Sequence, residues 1–395
     1  MKYFPLSLGL IFTVFSMFYT SVFASNQQRG QLVSSQILTT LNVSTIESTL
    51  AQVSLKPIRP VQPVQIYKII YQTKGLDGNL SKASAQVAVP LKSGPFSILC
   101  YHHGTVTLKN KSPSSLTYDS GLLHAGYFGG AGHLVVVQPD YLGLGENNEV
   151  IHPYLQEESL ASASVDAILA TKAFLQKIKV SSFNSVFLAG YSEGGFATLA
   201  TQKLIENNYP NIKIRAVAAG AGPYLFRESI YYTLTTPGLS ASLFTAYYLY
   251  AYHKTHGYWS NLSDVFNSPY DQLIPVLLNG HHDQDEIASK LPPTPKSLLK
   301  PYFYDQLVSL SEPHIHEIID SLNFHHWSPQ APVALIGAKA DTDVPFFNAE
   351  ILSQYWEKRG IQSKLINVGD ALGHYDGKFK SMEAQLYFLI TSKPV

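Results

Sequence analysis

The chain has 395 residues, with 28 basic and 28 acidic side chains, a formal net charge of zero, 14% charged residues and 45% apolar ones. That balance excludes a basic footprint for nucleic acid and a cationic patch for an anionic membrane, and the length fits one catalytic unit carrying an insertion. A lone cysteine, Cys100, excludes an internal disulfide, so stability has to come from the core.

In chain order, Lys2, an apolar run over residues 6–18 and the small-residue site Val22-Phe23-Ala24 predict a signal peptide over 1–24, cleaved after Ala24. The product is then secreted or periplasmic and keeps no membrane span. Residues 25–60 read as a polar, helical lead, broken by prolines from Pro57 to Pro63. Strands follow near 66–71 and 83–89, joined through the turn Gly75-Leu76-Asp77-Gly78. Strands then alternate with helices: 96–101, 134–137, a helix over 159–178, a strand over 186–189, the helix after Ser192, and a strand over 214–219. Such alternation requires parallel crossovers, hence a doubly wound, mostly parallel α/β sheet with its site at the C-terminal strand ends.

Residues 223–330 break the alternation and are rich in aromatic side chains, among them Tyr224, Phe226, Phe244, Tyr247, Tyr248 and Tyr252. An insertion between two sheet strands lies above the strand ends, so this segment reads as a helical cap or lid between core segments 25–222 and 331–395. Most of its aromatics fill the cap's own core, and some face the site. The pairs His281-His282, His314-x-His316 and His325-His326 lack matching acidic or cysteine spacing, so no metal site is expected. Four Asn-x-Ser triplets, at Asn42, Asn79, Asn110 and Asn261, match a glycosylation pattern short enough to arise by chance.

The chemistry centres on Gly190-Tyr191-Ser192-Glu193-Gly194, set between the apolar run 186–189 and a small-residue helix. A strand turning sharply into a helix at G-x-S-x-G holds the serine hydroxyl out over the sheet. A serine nucleophile needs a general base oriented by a carboxylate, in the chain order Ser, acid, His. After the strand over 332–337, Asp341 is the preferred acid and Asp343 the reserve. The base is His374, in the loop Gly369-Asp370-Ala371-Leu372-Gly373-His374-Tyr375. Backbone N–H groups of Glu193 and of Thr105, in the loop His102-His103-Gly104-Thr105, are candidates for an oxyanion hole.

The blocks Tyr101-His102-His103-Gly104-Thr105, Gln138-Pro139-Asp140-Tyr141-Leu142-Gly143-Leu144-Gly145, His152-Pro153-Tyr154-Leu155, Gly190-Tyr191-Ser192-Glu193-Gly194-Gly195, Gly222-Pro223-Tyr224 and Asp341-Thr342-Asp343-Val344-Pro345 resemble the secreted lipase-like branch of the α/β-hydrolase superfamily. They extend from about residue 65 to the C-terminus. The resemblance implies an α/β-hydrolase sheet, Asp341 as the acid and Thr105 as an oxyanion donor. His102 departs from it, since that group tends to carry a neutral polar residue there. Asp140 reads as a scaffold residue. The expected activity is hydrolysis of carboxylic esters or lipids through an acyl-enzyme on Ser192, with no cofactor. The alternatives are an acyltransferase or serine peptidase of the same superfamily, and a non-enzymatic binding protein on this scaffold. Oligomeric state is not legible.

Overall fold

A computed structural model describes residues 28–148, 150–236 and 240–392; the expected signal peptide lies outside the described residues. Among these, the strands β1 (Leu32–Leu41), β2 (Val64–Lys74), β3 (Leu80–Pro90), β4 (Phe96–His102), β5 (Val135–Pro139), β6 (Ser182–Tyr191), β7 (Lys213–Gly220), β8 (Val333–Gly337) and β9 (Ser363–Asn367) form one sheet. Its order is β1-β2-β3-β5-β4-β6-β7-β8-β9. The edge from β1 to β5 is antiparallel, and from β5 through β4 to β9 every neighbour is parallel. The helices are α1 (Val43–Gln52), α2 (Asp119–His124), α3 (Glu157–Lys177), α4 (Glu193–Asn208), α5 (Phe226–Thr235), α6 (Ala241–His256), α7 (Tyr270–Leu277), α8 (Gln284–Lys290), α9 (Pro295–Leu298), α10 (Pro301–Val308), α11 (Pro313–Ser321), α12 (Phe347–Glu357) and α13 (His374–Thr391). Those from α5 to α11 lie in the segment between β7 and β8.

Central strands such as β8 are apolar throughout because both faces are covered. Side chains alternate between two cores. Ile98, Cys100, Val186, Leu188, Val217 and Ala219 face one, together with Leu160 and Val165 of α3 and Phe196 and Leu199 of α4. Leu99, Tyr101, Phe187, Ala189, Ala216 and Ala218 face the other, with Ile46 of α1, Tyr127, Phe128, and Met382 and Leu386 of α13. The chain steps from β4 one way to β5, then back past β4 to β6. Right-handed crossovers put the connecting helices on opposite faces and leave a crevice at the C-terminal ends of β4 and β6.

Three expectations need correction. Among its described residues the polar lead over 25–60 contains an edge strand as well as the helix α1. β1 pairs antiparallel with β2 along its length, but an edge strand facing solvent carries no apolar alternation from which to read it. Its turn into α1 is made by Asn42, whose side chain accepts the Thr45 N–H at 2.8 Å. His374 is not in a loop: it is the first residue of α13, capped by Gly373. His102 belongs to β4, not to the loop after it, and is fully buried beneath α4.

The His102 ring lies with Nδ1 3.1 Å from the Ala189 carbonyl and Nε2 3.1 Å from Thr201 Oγ1. Burial pushes its imidazole from 6.5 down to about 3. Between those values the unfolded chain binds a proton that the folded chain refuses, so stability falls as pH drops below 6.5. In urea titrations between about pH 4 and about pH 6, His102→Gln should flatten the pH slope of unfolding free energy by up to about 1.4 kcal/mol per pH unit. A slope unchanged by the substitution would contradict a neutral buried ring.

Candidate active site

Ser192 sits between β6 and α4 with φ 62° and ψ −127°. A side-chain-bearing residue adopts positive φ at a cost of about 1–3 kcal/mol, so surrounding packing has to enforce it. Here the Ser192 N–H donates to the Gly220 carbonyl at 2.9 Å. A Cβ at Gly194 would overlap the His102 carbonyl, and one at Gly190 would overlap the Gly194 carbonyl. Only glycines let α4 begin this close to β4 and β6.

The Ser192 hydroxyl lies 2.9 Å from His374 Nε2, and His374 Nδ1 lies 2.7 Å from Asp341 Oδ2. The structure thus brings together three side chains spread over residues 192–374 of the sequence. Asp341 is fully buried at its carboxylate, and its other oxygen accepts the N–H groups of Asp343 at 3.0 Å and Val344 at 2.8 Å. Asp343, the reserve acid, therefore contributes its backbone to Asp341. Burial pushes its own carboxyl above the usual range, opposed by the nearby His374.

Gly104 packs on Ser192, a Cβ there meeting Ser192 Cβ at 3.3 Å, so the loop bearing Thr105 runs over the hydroxyl. Thr105 Oγ1 is 3.0 Å from Tyr154 Oη, and its carbonyl accepts Gln284 Nε2 of α8 at 2.8 Å. Tyr154 stacks on Tyr247 of α6 with ring centroids 4.5 Å apart. Glu193 opens α4, where the first N–H groups have no intrahelical acceptor.

Two side-chain roles escaped the sequence reading. The carboxylate of Glu193, considered there only for its N–H, is buried and 2.8 Å from His152 Nε2, while His152 Nδ1 donates to the Leu142 carbonyl at 2.8 Å. No spacing rule links residues 152 and 193, although both fall in blocks carrying the resemblance. Tyr191 donates its hydroxyl to the His374 carbonyl at 2.7 Å, holding the backbone of the imidazole. Asp140 accepts the Ser114 N–H at 2.8 Å and the hydroxyls of Ser84 and Ser114, which ties the loop after β4 to β3 and β5.

Ser192 stands between two arms of one cleft. The first, about 70 Å³, is apolar and is walled by Phe226, Ile230, Phe244, Tyr248, Leu249 and Val344. The second, about 230 Å³, passes Gly104 and His374 toward Tyr101, His124 and Lys378. A larger, charged crevice at Lys74, Glu157, Lys203 and Glu317 does not reach the serine. Among the described residues no three His, Cys, Asp or Glu side chains converge as metal ligands. His282 pairs with Glu286 at 2.9 Å, His314 stacks on Tyr258 at 4.3 Å and His325 lies 3.7 Å from His326, ring to ring. No helix of the described residues is long and apolar enough to cross a membrane.

Residues 115–225 match the secretory lipase family. A candidate hydrolase of Legionella pneumophila is 34% identical, with alignment over 91% of this chain and 97% of that one and a TM-score of 0.88. The rice cell wall degrading esterase LipA of Xanthomonas oryzae is 26% identical over 92% of this chain and 98% of its own, with a TM-score of 0.84. Candida antarctica lipase A, at 16% identity, coverage of 92% and 82% and a TM-score of 0.68, shares the fold. No curated protein matches the sequence. The chain belongs with these lipase- and esterase-like α/β-hydrolases, its residues 115–225 matching the secretory lipase family, and is an ester hydrolase of that kind.

Loss of the Tyr191 hydroxyl removes one hydrogen bond to the His374 backbone. Tyr191→Phe should lower kcat on p-nitrophenyl butyrate about three- to tenfold while KM stays within about twofold. An unchanged kcat would show that this bond does not orient the imidazole.

Proposed function

We propose that the protein hydrolyses carboxylic esters through an acyl-enzyme on Ser192, with His374 as general base and acid and Asp341 as its orienting carboxylate. The observation that carries this reading is the continuous contact from Asp341 Oδ2 to His374 Nδ1 at 2.7 Å and from His374 Nε2 to Ser192 Oγ at 2.9 Å. In the first step His374 takes the Ser192 proton as the oxygen attacks the ester carbonyl. Asp341, held by two backbone N–H groups, fixes the tautomer and stabilises the imidazolium. The N–H groups of Glu193 and Thr105 receive the charge that develops on the carbonyl oxygen. His374 then protonates the departing alcohol. Water enters, gives a proton to His374 as its oxygen attacks the acyl carbon, and His374 passes that proton to Ser192 Oγ as the acid departs.

The segment 223–330 acts as the cap, since its Phe226, Ile230, Phe244, Tyr248 and Leu249 wall the apolar arm beside Ser192. A carboxylic acyl chain is the group that such a wall accepts without unpaired charge. The secretory character of the family supports export through the segment 1–24 with cleavage after Ala24.

Ser192→Ala should abolish p-nitrophenyl ester hydrolysis and labelling by a fluorophosphonate while leaving the circular dichroism spectrum intact; residual turnover above about one thousandth of wild type would refute the nucleophile. The size of the apolar arm sets a second expectation. An apolar cavity of about 150 Å³ accepts benzene, so an arm of 70 Å³ has room for only a few methylene groups. Across p-nitrophenyl esters from acetate to palmitate, kcat/KM should peak at short chains, butyrate exceeding palmitate by about tenfold or more. A maximum at palmitate would mean that the cap opens well beyond the shape seen.

A further inference from the structure

The Glu193 carboxylate and the His152 ring are both buried, and the groups around them fix how many hydrogens they hold. His152 Nδ1 lies 2.8 Å from the Leu142 carbonyl, which only accepts, so that nitrogen carries a hydrogen. His152 Nε2 lies 2.8 Å from Glu193 Oε1. Two bare lone pairs repel at that separation, so one further hydrogen stands between them. Imidazolium with carboxylate and imidazole with carboxylic acid both meet this count, and in both the pair is neutral overall. Glu193 Oε2 has no hydrogen-bond partner among the described residues, so the shared hydrogen is what ties this carboxylate to its surroundings.

A buried ionisable pair carries a desolvation cost that an apolar pair of the same volume avoids, so core stability alone gives no reason for it. Its position gives one. Glu193 directly follows Ser192 and opens α4, so a hold on its carboxylate is also a hold on its backbone N–H. The His152 ring is boxed by Tyr141, Tyr247 and Tyr154, with centroids 5.8, 6.2 and 6.4 Å away. Tyr154 in turn sets its hydroxyl 3.0 Å from Thr105 Oγ1. One packed aromatic body therefore bonds to the side chains of both residues proposed above as oxyanion donors. Such donors act at full strength only within about 2.7–3.1 Å of the place the oxygen comes to occupy, and a displacement of about 1 Å costs about a hundredfold in rate.

We infer that His152 and Tyr154 are positioning residues that hold the N–H groups of Glu193 and Thr105 at the separation an oxyanion needs. His152 does so through the hydrogen it shares with the Glu193 carboxylate, and Tyr154 through its hydroxyl on Thr105. This rests on the Ser192 acyl-enzyme reading and on those two donors. The bonds act on the transition state through the two amides and not on the bound ester, so their loss reads in kcat and leaves KM.

The test measures kcat and KM on p-nitrophenyl butyrate per active site, counted by complete fluorophosphonate labelling. Beside it stands the inhibition constant of a butyl trifluoromethyl ketone, whose adduct with Ser192 Oγ sets an oxyanion against the same donors. His152→Phe should lower kcat about ten- to hundredfold with KM within about threefold, and raise that inhibition constant about tenfold or more. Glu193→Leu should do the same. Glu193→Gln, whose amide N–H supplies the hydrogen to a neutral His152, should recover at least about threefold of the kcat lost in Glu193→Leu. Tyr154→Phe keeps the ring and its stack on Tyr247 and should lower kcat about three- to tenfold, which keeps the inference testable if the substitutions at 152 and 193 prevent folding. Fewer labelled sites with kcat per site unchanged would show that these bonds serve stability alone and would overturn the inference. A loss carried by KM, a ketone bound as tightly as by wild type, or Glu193→Gln no better than Glu193→Leu would overturn it as well. Wild type that neither labels nor turns over the ester would instead overturn the acyl-enzyme reading, and this inference with it.

Discussion

The left-handed backbone of Ser192 is the constraint on which the site depends. At φ 62° the residue reverses the chain between β6 and α4 within a single position, so the hydroxyl emerges at the strand end while α4 leaves at once beneath it. The strain is of order 1–3 kcal/mol and is opposed by packing that leaves no alternative. The Gly220 carbonyl holds the Ser192 N–H, and the start of α4 lies against the carbonyls of β4. A hydroxyl fixed in this way loses little entropy in meeting the His374 imidazole. Glu193, pinned through its buried carboxylate to His152, keeps the first turn of α4 from drifting.

The topology then distributes the remaining work. The reversal of strand order beside β4 opens the crevice into which the loops after β4, β6 and β8 project. Each loop brings one part: Gly104 and Thr105 over the hydroxyl, Ser192 itself, and Asp341. The inserted helices close the top, with Gln284 of α8 bonded to the Thr105 carbonyl and Tyr247 of α6 donating to the Val106 carbonyl at 3.1 Å. These bonds tie the position of the insertion to the loop nearest Ser192, so a displacement of α6 or α8 strains the bonds to Thr105 and Val106.

Much of this was legible in the sequence because it is encoded locally. The turn at Ser192 needs glycines at fixed offsets, and central strands read as uninterrupted apolar runs because both faces are buried. The chain order of Ser192, Asp341 and His374 narrowed the partners without any knowledge of distance. What escaped was encoded by partners remote in sequence. β1 is an edge strand whose pairing with β2 leaves no period-two signal. The helix α13 starts at His374, so a loop reading based on the flanking glycines missed that the imidazole is held by a helix end and by the Tyr191 hydroxyl. The pairing of Glu193 with His152 depends on the loop after β5 folding back over α4, which neither segment announces. The aromatic content of the insertion was visible, but which rings face Ser192 and which, like Tyr247 against Tyr154, brace a loop is decided by packing alone.

The buried line from Pro113 through Gln86 and Gln138 to His124 shows how a polar network can carry chemical information through a core. Each amide spans β3 or β5, where an apolar side chain would fill the same volume with no desolvation cost. Backbone carbonyls at Pro113 and Gly121 fix both amides in one orientation, and this orientation has no effect on sheet pairing. Its sole consequence along the line is the tautomer of His124. Of these three side chains, the imidazole alone lines the wall of the cleft beside His374. The line ends on the ring that lines the arm of the cleft shared by Ser192 and His374, so the orientation of two buried amides is set against that wall.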